Sequence, residues 1–216
     1  MTLISVLCPT RNRSKALAKS VKSLRENQTH FNDFELLLAV DPDDHTLAFA
    51  AALADKLYIA PERWGYGHLN RYYNELAKEA SGDWLLLWND DAVMVSQGWD
   101  ATLASLPARV MVAELQDQKS PALCCFPAVR REAMLAVGGF SPHTPHCDTY
   151  WQDIGRNSGR GVATSIHLRH ERFDMTGENR DATYQESQAG YQTASYYSGE
   201  VQSKIAADIE TVRRLP

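Results

Sequence analysis

The amino-acid sequence predicts an α/β protein with a mostly parallel central sheet flanked by helices. Short apolar runs alternate with segments of helical period through the first half of the chain. One of the runs, Trp84–Trp88, is apolar at every position, as expected of a strand covered on both faces. Turn residues then close nearly every run, so the units are compact.

The elements follow in order. Leu3–Cys8 is an apolar run ended by Pro9, and it reads as a first strand and not as a signal peptide, because no basic leader precedes it. Ser14–Asn27 spaces Leu17, Val21 and Leu24 as an amphipathic helix does, with Ser14 placed to cap it. Phe34–Val40 is a second strand, stopped by Asp41-Pro42-Asp43-Asp44. A short helix over Leu47–Ala54 and a third strand over Lys56–Ala60 follow. His68–Ala80 is helical, with Leu69, Tyr72, Tyr73, Leu76 and Ala80 on its apolar face and Ser81-Gly82 as its stop. Trp84–Trp88 is a continuous apolar strand.

The second half is less regular. It predicts helix over Trp99–Leu106, strand over Arg109–Leu115, a turn over Asp117–Pro121 and strand over Ala122–Val129. Helices over Arg130–Val137 and Asp148–Asn157, a strand over Gly161–Leu168 and a terminal helix over Glu200–Arg213 complete the chain. With 216 residues and no linker-like stretch, a single domain spanning 1–216 is expected.

Composition narrows the function. A net charge of −5 with 44% apolar residues suits a globular protein and gives no support for nucleic acid as a partner. No segment approaches the eighteen or so consecutive apolar residues of a membrane span. The spacing of the four cysteines fits neither a zinc module nor a disulfide framework; buried thiols and a cytoplasmic setting are expected. Glycine-rich phosphate loops are absent, so a metal and basic side chains must carry the charge of any bound phosphate.

The chemistry gathers at strand ends, where open α/β sheets bind ligands. Trp84–Trp88 delivers Asn89-Asp90-Asp91, and adjacent carboxylates repel each other unless a cation joins them. A hard divalent ion with oxygen ligands resolves that and bridges a diphosphate, whereas a solvated acidic turn is the plain alternative. The loop Pro9-Thr10-Arg11-Asn12-Arg13 brings two guanidinium groups to the same edge. Asp41 is placed to accept hydrogen bonds from a base or ribose. Asp148 and Asp153, five residues apart and so on different helix faces, are candidate general bases toward an acceptor hydroxyl. His167 and His170 end the late strand on opposite faces, and one of them can complete a metal shell.

Taken in order, these motifs resemble the family-two inverting nucleotide-diphospho-sugar glycosyltransferases, which have the GT-A fold. The likeness covers roughly residues 3–170. It rests on Ile4–Arg13, Asp41, Asn70 and Asn74 before Ser81-Gly82-Asp83-Trp84, Asn89-Asp90-Asp91, and Val137-Gly138-Gly139-Phe140. The resemblance implies a nucleotide-sugar-binding half over 1–115 and an acceptor-binding half over 116–216. It implies Pro9, Thr10, Arg11, Arg13, Asp41, Asn70 and Asp90 as donor contacts. Asp91 then holds Mn2+ or Mg2+, with His170 a better match than His167 for the second ligand. Gln152-Asp153 stands where the family carries Glu-Asp, making Asp153 the first candidate for the base and Asp148 the second. Asn89 departs from the family's leading aspartate. The implied donor is a nucleoside-diphosphate sugar, UDP-linked first among the bases, and the acceptor a glycan or other hydroxyl. Tyr184, Tyr191, Tyr196 and Tyr197 suit either an acceptor wall or a homodimer contact. A non-catalytic sugar- or nucleotide-binding module with a degenerate site is the alternative.

Overall fold

The computed structural model describes residues 3–29, 34–118, 124–172, 181–186 and 196–216. Its strands are β1 (Ile4–Pro9), β2 (Phe34–Val40), β3 (Lys56–Ile59), β4 (Trp84–Leu87), β5 (Ala92–Met94), β6 (Val112–Asp117), β7 (Pro127–Arg130) and β8 (Gly161–His170). Its helices are α1 (Ser14–Asn27), α2 (Leu47–Leu53), α3 (Leu69–Glu79), α4 (Trp99–Ala104), α5 (Arg131–Val137), α6 (Cys147–Ser158) and α7 (Gly199–Arg213).

The strands form one sheet in the order β3-β2-β1-β4-β7-β6-β8-β5. β1 pairs in parallel with β2 and β4, β2 with β3, and β6 with β8. β7 runs antiparallel between β4 and β6, and β5 runs antiparallel to β8 at the far edge. The sheet is therefore mostly parallel, with α/β units in its first half.

The chain winds outward from β1 to β3 and then returns to place β4 on the other side of β1. That reversal opens a crevice between the carboxyl ends of β1 and β4, the place where such sheets bind ligands. Both faces of the central strands are covered, so Leu36–Val40, Trp84, Leu85 and Leu86 are fully buried. α1 presses Leu17, Val21 and Leu24 onto the sheet. From the same helix, the Ser20 hydroxyl accepts the Trp88 indole N–H at 2.7 Å and donates to the Asn89 carbonyl at 3.2 Å, which fixes the end of β4.

Some boundaries differ from expectation for local reasons. Arg13 takes the position before α1, and Ser14 is its first residue without a capping bond. β6 starts and ends later than the apolar pattern suggests, because Pro107 and Val110 close a turn ahead of it and Asp117 still pairs with Leu168. Asp117 is thus a strand end. β5 is too short for periodicity to reveal. The seventh strand begins at Pro127, and the described residues 124–126, expected in it, lie outside it; expectations for 119–123 lie outside the described residues, as does Tyr191.

α6 lies close against β6 and β8. A methyl group on Gly161 would meet the Gly155 carbonyl carbon at 2.7 Å and its oxygen at 2.8 Å, so this helix–strand approach requires glycine. α7 covers α6 with Ile205 and Val212. Asp208 of α7 accepts the Tyr150 hydroxyl at 2.7 Å and faces His143 Nε2 at 2.9 Å. Arg160 reaches the carbonyls of Arg213 and Pro216. Among the described residues, no helix is long and apolar enough to cross a membrane.

Candidate active site

A cavity of about 580 Å³ opens at the β1/β4 crevice. One wall is the loop after β1, with Pro9, Thr10, Arg11 and Arg13; another is Asn89-Asp90-Asp91 with His170. Pro145–Asp148 and the described segment 181–186 complete the enclosure.

The acidic centre follows from strand register. β1 and β4 pair Leu7 with Leu87, so Thr10 and Asp90 arrive side by side beyond the strand ends. The Thr10 hydroxyl donates to Asp90 at 2.8 Å. Arg13 lies across both carboxylates, 3.2 Å from Asp90 and 3.6 Å from Asp91. The same guanidinium donates two bonds to Asp181, at 2.6 and 2.7 Å. Burial, and then the neighbouring Asp91 charge, push the Asp90 carboxyl above the usual range. Burial works against Asp91 too, but the His170 hydrogen bond and the charges of His170 and Arg13 hold it below that range.

His170 reaches Asp91 across the β5–β8 pair. Ala92 stands opposite His170, and the Glu171 N–H donates to the Asp91 carbonyl at 2.8 Å. His170 Nε2 lies 3.1 Å from Asp91 Oδ1. The alternation along β8 turns Ile166, Leu168 and His170 inward and leaves His167 exposed. Asp91 and His170 thus meet at the cavity wall as a carboxylate–imidazole pair, a donor set suited to a divalent cation.

Asn89 is explained by what it touches. Its side-chain oxygen accepts the hydroxyl of fully buried Tyr73 at 2.8 Å. An aspartate here would add a third charge to a site already crowded with carboxylates. The departure from the family signature therefore serves packing under the turn.

At the other end, Asp41 is 3% exposed and accepts from Arg11 at 2.7 Å and from the Tyr72 hydroxyl. Arg11 also grips Asp43 with two bonds. Tyr72 accepts the backbone N–H groups of Trp64 and Gly65 at 3.2 and 3.0 Å, which ties α3 to the loop before it. Asn70 lies outside the cavity lining and donates to the Ser141 carbonyl at 3.2 Å, where Asn74 also binds. Both asparagines fasten α3 to the turn that leads into α6.

The two candidate bases separate. Asp148 sits in the first turn of α6 and lines the cavity, and burial raises its carboxyl above the usual range. Asp153 is absent from the lining, and its carboxylate accepts the Tyr196 hydroxyl instead. Tyr184 contributes to the cavity wall, whereas Tyr197 is exposed. Sequence reasoning passed over Cys125, Asp181 and Glu186. Glu186 accepts the Tyr66 N–H at 3.0 Å and pairs with Arg63 across the cavity rim. Both acidic residues lie in a polar stretch without periodicity, so nothing in the pattern marks them.

Comparison with known proteins agrees with this geometry. Residues 5–105 match the model of glycosyl transferase family 2. A search of curated proteins found no significant match. Among solved structures, the mannosyltransferase PcManGT of Pyrobaculum calidifontis, described in complex with GDP-Man and Mn2+, superposes with a TM-score of 0.66 at 14% identity, over 98% of this chain and 73% of that one. S. aureus TarS 1-349 with UDP gives 0.60 at 14% identity, over 96% and 70%. Glucosyl-3-phosphoglycerate synthase of Mycobacterium tuberculosis, described with Mn2+, UDP and glucosyl-3-phosphoglycerate, gives 0.59 at 14% identity, over 89% and 79%. With its β1/β4 crevice, its acidic turn and this common architecture, the chain has the GT-A fold, and its residues 5–105 are similar to glycosyl transferase family 2.

Proposed function

We propose that the protein transfers a sugar from a nucleoside-diphosphate sugar to an acceptor hydroxyl with inversion at the anomeric carbon. The observation that carries this reading is the convergence, in one cavity, of Asp90, Asp91, Arg13 and His170 with Asp148 on a separate wall. The first four suit a metal-bound diphosphate, and the last suits a base.

Asp91 and His170 are the residues that would hold Mn2+ or Mg2+. Such an ion, when bound, supplies positive charge to the departing diphosphate. Asp41 and Tyr72 face the base end of the donor, and uridine is the first base to test. Asp90, steadied by Thr10, lies toward the ribose and sugar. Arg13 balances the acidic pair and turns its remaining donors to the diphosphate; Arg11 flanks the same loop. Asp148 takes the proton from the acceptor hydroxyl as that oxygen attacks the anomeric carbon. The bond to the diphosphate oxygen breaks on the opposite face, so a single displacement inverts the centre.

A thermal-shift panel of nucleoside diphosphates with manganese or magnesium tests the reading. A ligand at one hundred times its Kd adds about 2.7 kcal/mol. For a domain of this size that raises Tm by about 5–11 °C. Asp91→Ala removes the metal-dependent part of that rise. If no nucleotide–metal pair shifts Tm, the proposal is wrong.

A further inference from the structure

One cluster of ligating side chains shares only His170 with the site proposed for transfer. Asp117 ends β6, His170 ends β8, and Cys125 lies just before β7. β6 and β8 are paired neighbours, with Asp117 opposite Leu168, and β7 adjoins β6. One donor atom from each of Asp117, Cys125 and His170 lies within 4.8 Å of the other two. Asp117 and His170 are 1% and 4% exposed, and Cys125 lines the cavity.

The histidine ring divides its two nitrogens between different surroundings. Nε2 is engaged with Asp91 at 3.1 Å. Nδ1 is buried and meets no hydrogen-bond partner among the described residues. The Phe126 ring packs edge-on against the imidazole at 4.9 Å and limits its rotation. A buried ring nitrogen without a partner is costly, and on an imidazole grouped with a thiol and a carboxylate it is a ligand held ready.

We propose that Asp117, Cys125 and His170 Nδ1 form a second metal site, selective for a thiophilic divalent ion of the zinc class, and that its occupation inhibits transfer. Sulfur, nitrogen and oxygen donors together favour zinc over magnesium or manganese. Tetrahedral zinc sets sulfur and nitrogen ligands about 3.5 Å apart, from bond lengths of about 2.3 and 2.05 Å. The donor atoms lie at most 4.8 Å apart, so this pair has to close by no more than about 1.3 Å. Binding converts the Cys125 thiol to thiolate and releases its proton to solvent.

Inhibition follows from the shared imidazole. A neutral ring offers a lone pair on one nitrogen only. With Nδ1 bound to zinc, Nε2 carries the hydrogen and donates it to Asp91. His170 is then lost to a hard cation held by Asp91. The inhibitory half of the proposal rests on the transferase reading above; the site itself does not.

Cadmium is the probe for the site, titrated into the nucleotide-free protein while the ultraviolet thiolate-to-metal charge-transfer band is recorded. A 1:1 band is expected, absent in Cys125→Ser and formed with at least tenfold weaker affinity in Asp117→Asn. Circular dichroism checks that both variants are folded; if Cys125→Ser is not, the Asp117→Asn titration decides. No stoichiometric band, an equal band in folded Cys125→Ser, or unchanged affinity in Asp117→Asn overturns the site. Zinc added to the protein with nucleoside diphosphate and manganese should erase the thermal shift, and Cys125→Ser should require at least tenfold more zinc. Equal zinc sensitivity in the two proteins overturns the inhibition. Because the cadmium titration contains no nucleotide, failure of the transferase reading would leave its outcome intact.

Discussion

Replacing Asp148 and Asp153 in turn by asparagine separates the two candidate bases. Asp148 lines the cavity from the first turn of α6, so Asp148→Asn removes the group proposed to take the acceptor proton. General-base catalysis contributes about 10²–10⁴ in rate. That corresponds to about 2.7–5.5 kcal/mol of barrier. Asp153 has a different environment. It is half-buried and holds the Tyr196 hydroxyl, whose ionisation is pushed well up by burial and by that bond. Asparagine retains an oxygen to accept the hydroxyl, so Asp153→Asn exchanges a charge-assisted bond for a neutral one, at about 1 kcal/mol of stability. Tm should fall by about 2–4 °C. The assay measures transfer to acceptor alongside the nucleoside-diphosphate thermal shift. Asp148→Asn should lose at least a hundredfold in transfer while keeping the shift; Asp153→Asn should stay within about tenfold of the parent. The reverse pattern, with transfer collapsing in Asp153→Asn and persisting in Asp148→Asn, refutes the assignment made from the cavity wall.

Three further outcomes follow from the same geometry. Because burial raises the Asp148 carboxyl, the base takes up its proton at a less acidic pH than an ordinary carboxylate, near 3.9, would. The acid limb of kcat/KM should therefore have its midpoint above that value and disappear in Asp148→Asn; a midpoint at or below it contradicts the burial. Gly161→Ala would drive a methyl into the Gly155 backbone at 2.7 Å, so urea unfolding should show a loss of about 1–3 kcal/mol, and an unchanged midpoint would mean that α6 can move away freely. Arg13 competes with any cation for Asp91, so Arg13→Ala should bind Mn2+ alone several-fold more tightly in a nucleotide-free titration; equal or weaker binding would remove its charge-balancing role.

The sequence was most readable where period and punctuation coincide. Phe34–Val40 and Ser14–Asn27 emerge with the expected limits because an apolar run interrupted only by Glu35 and a Leu17–Val21–Leu24 stripe admit one reading each. Arg11, Asp41, Asp90 and Asp91 gather as strand-end residues of adjacent parallel strands, where a single loop rule brings them together. The choice between Asp148 and Asp153 was harder, because spacing places them on different faces of α6 without saying which face meets the cavity. The contacts of Asp208 with Tyr150 and of Tyr196 with Asp153 show which side of α6 is covered. His170 depends on β5, three residues long and invisible to periodicity. Cys125 looks like an ordinary core thiol until Asp117 and His170 are brought beside it by β6 and β8. Asn70 had a motif's position, yet its amide serves a turn.

The Ala92–His170 pairing has a bearing on how this architecture tolerates change. Asp91 and His170 are 79 positions apart in the chain, yet their proximity is written into a ladder of three residue pairs. One extra residue within β8 would turn His170 to the opposite face, however well the new side chains packed. Two would restore the face but displace the ring by about two strand rises, some 6.6 Å. The edge strand thus acts as a ruler: length variation can accumulate in the loops around the sheet, but between β5 and the end of β8 the count is fixed. A cation held by both residues would in turn clasp the three-residue edge strand β5 to β8, so that loading the site and resisting the peeling of its edge become one property.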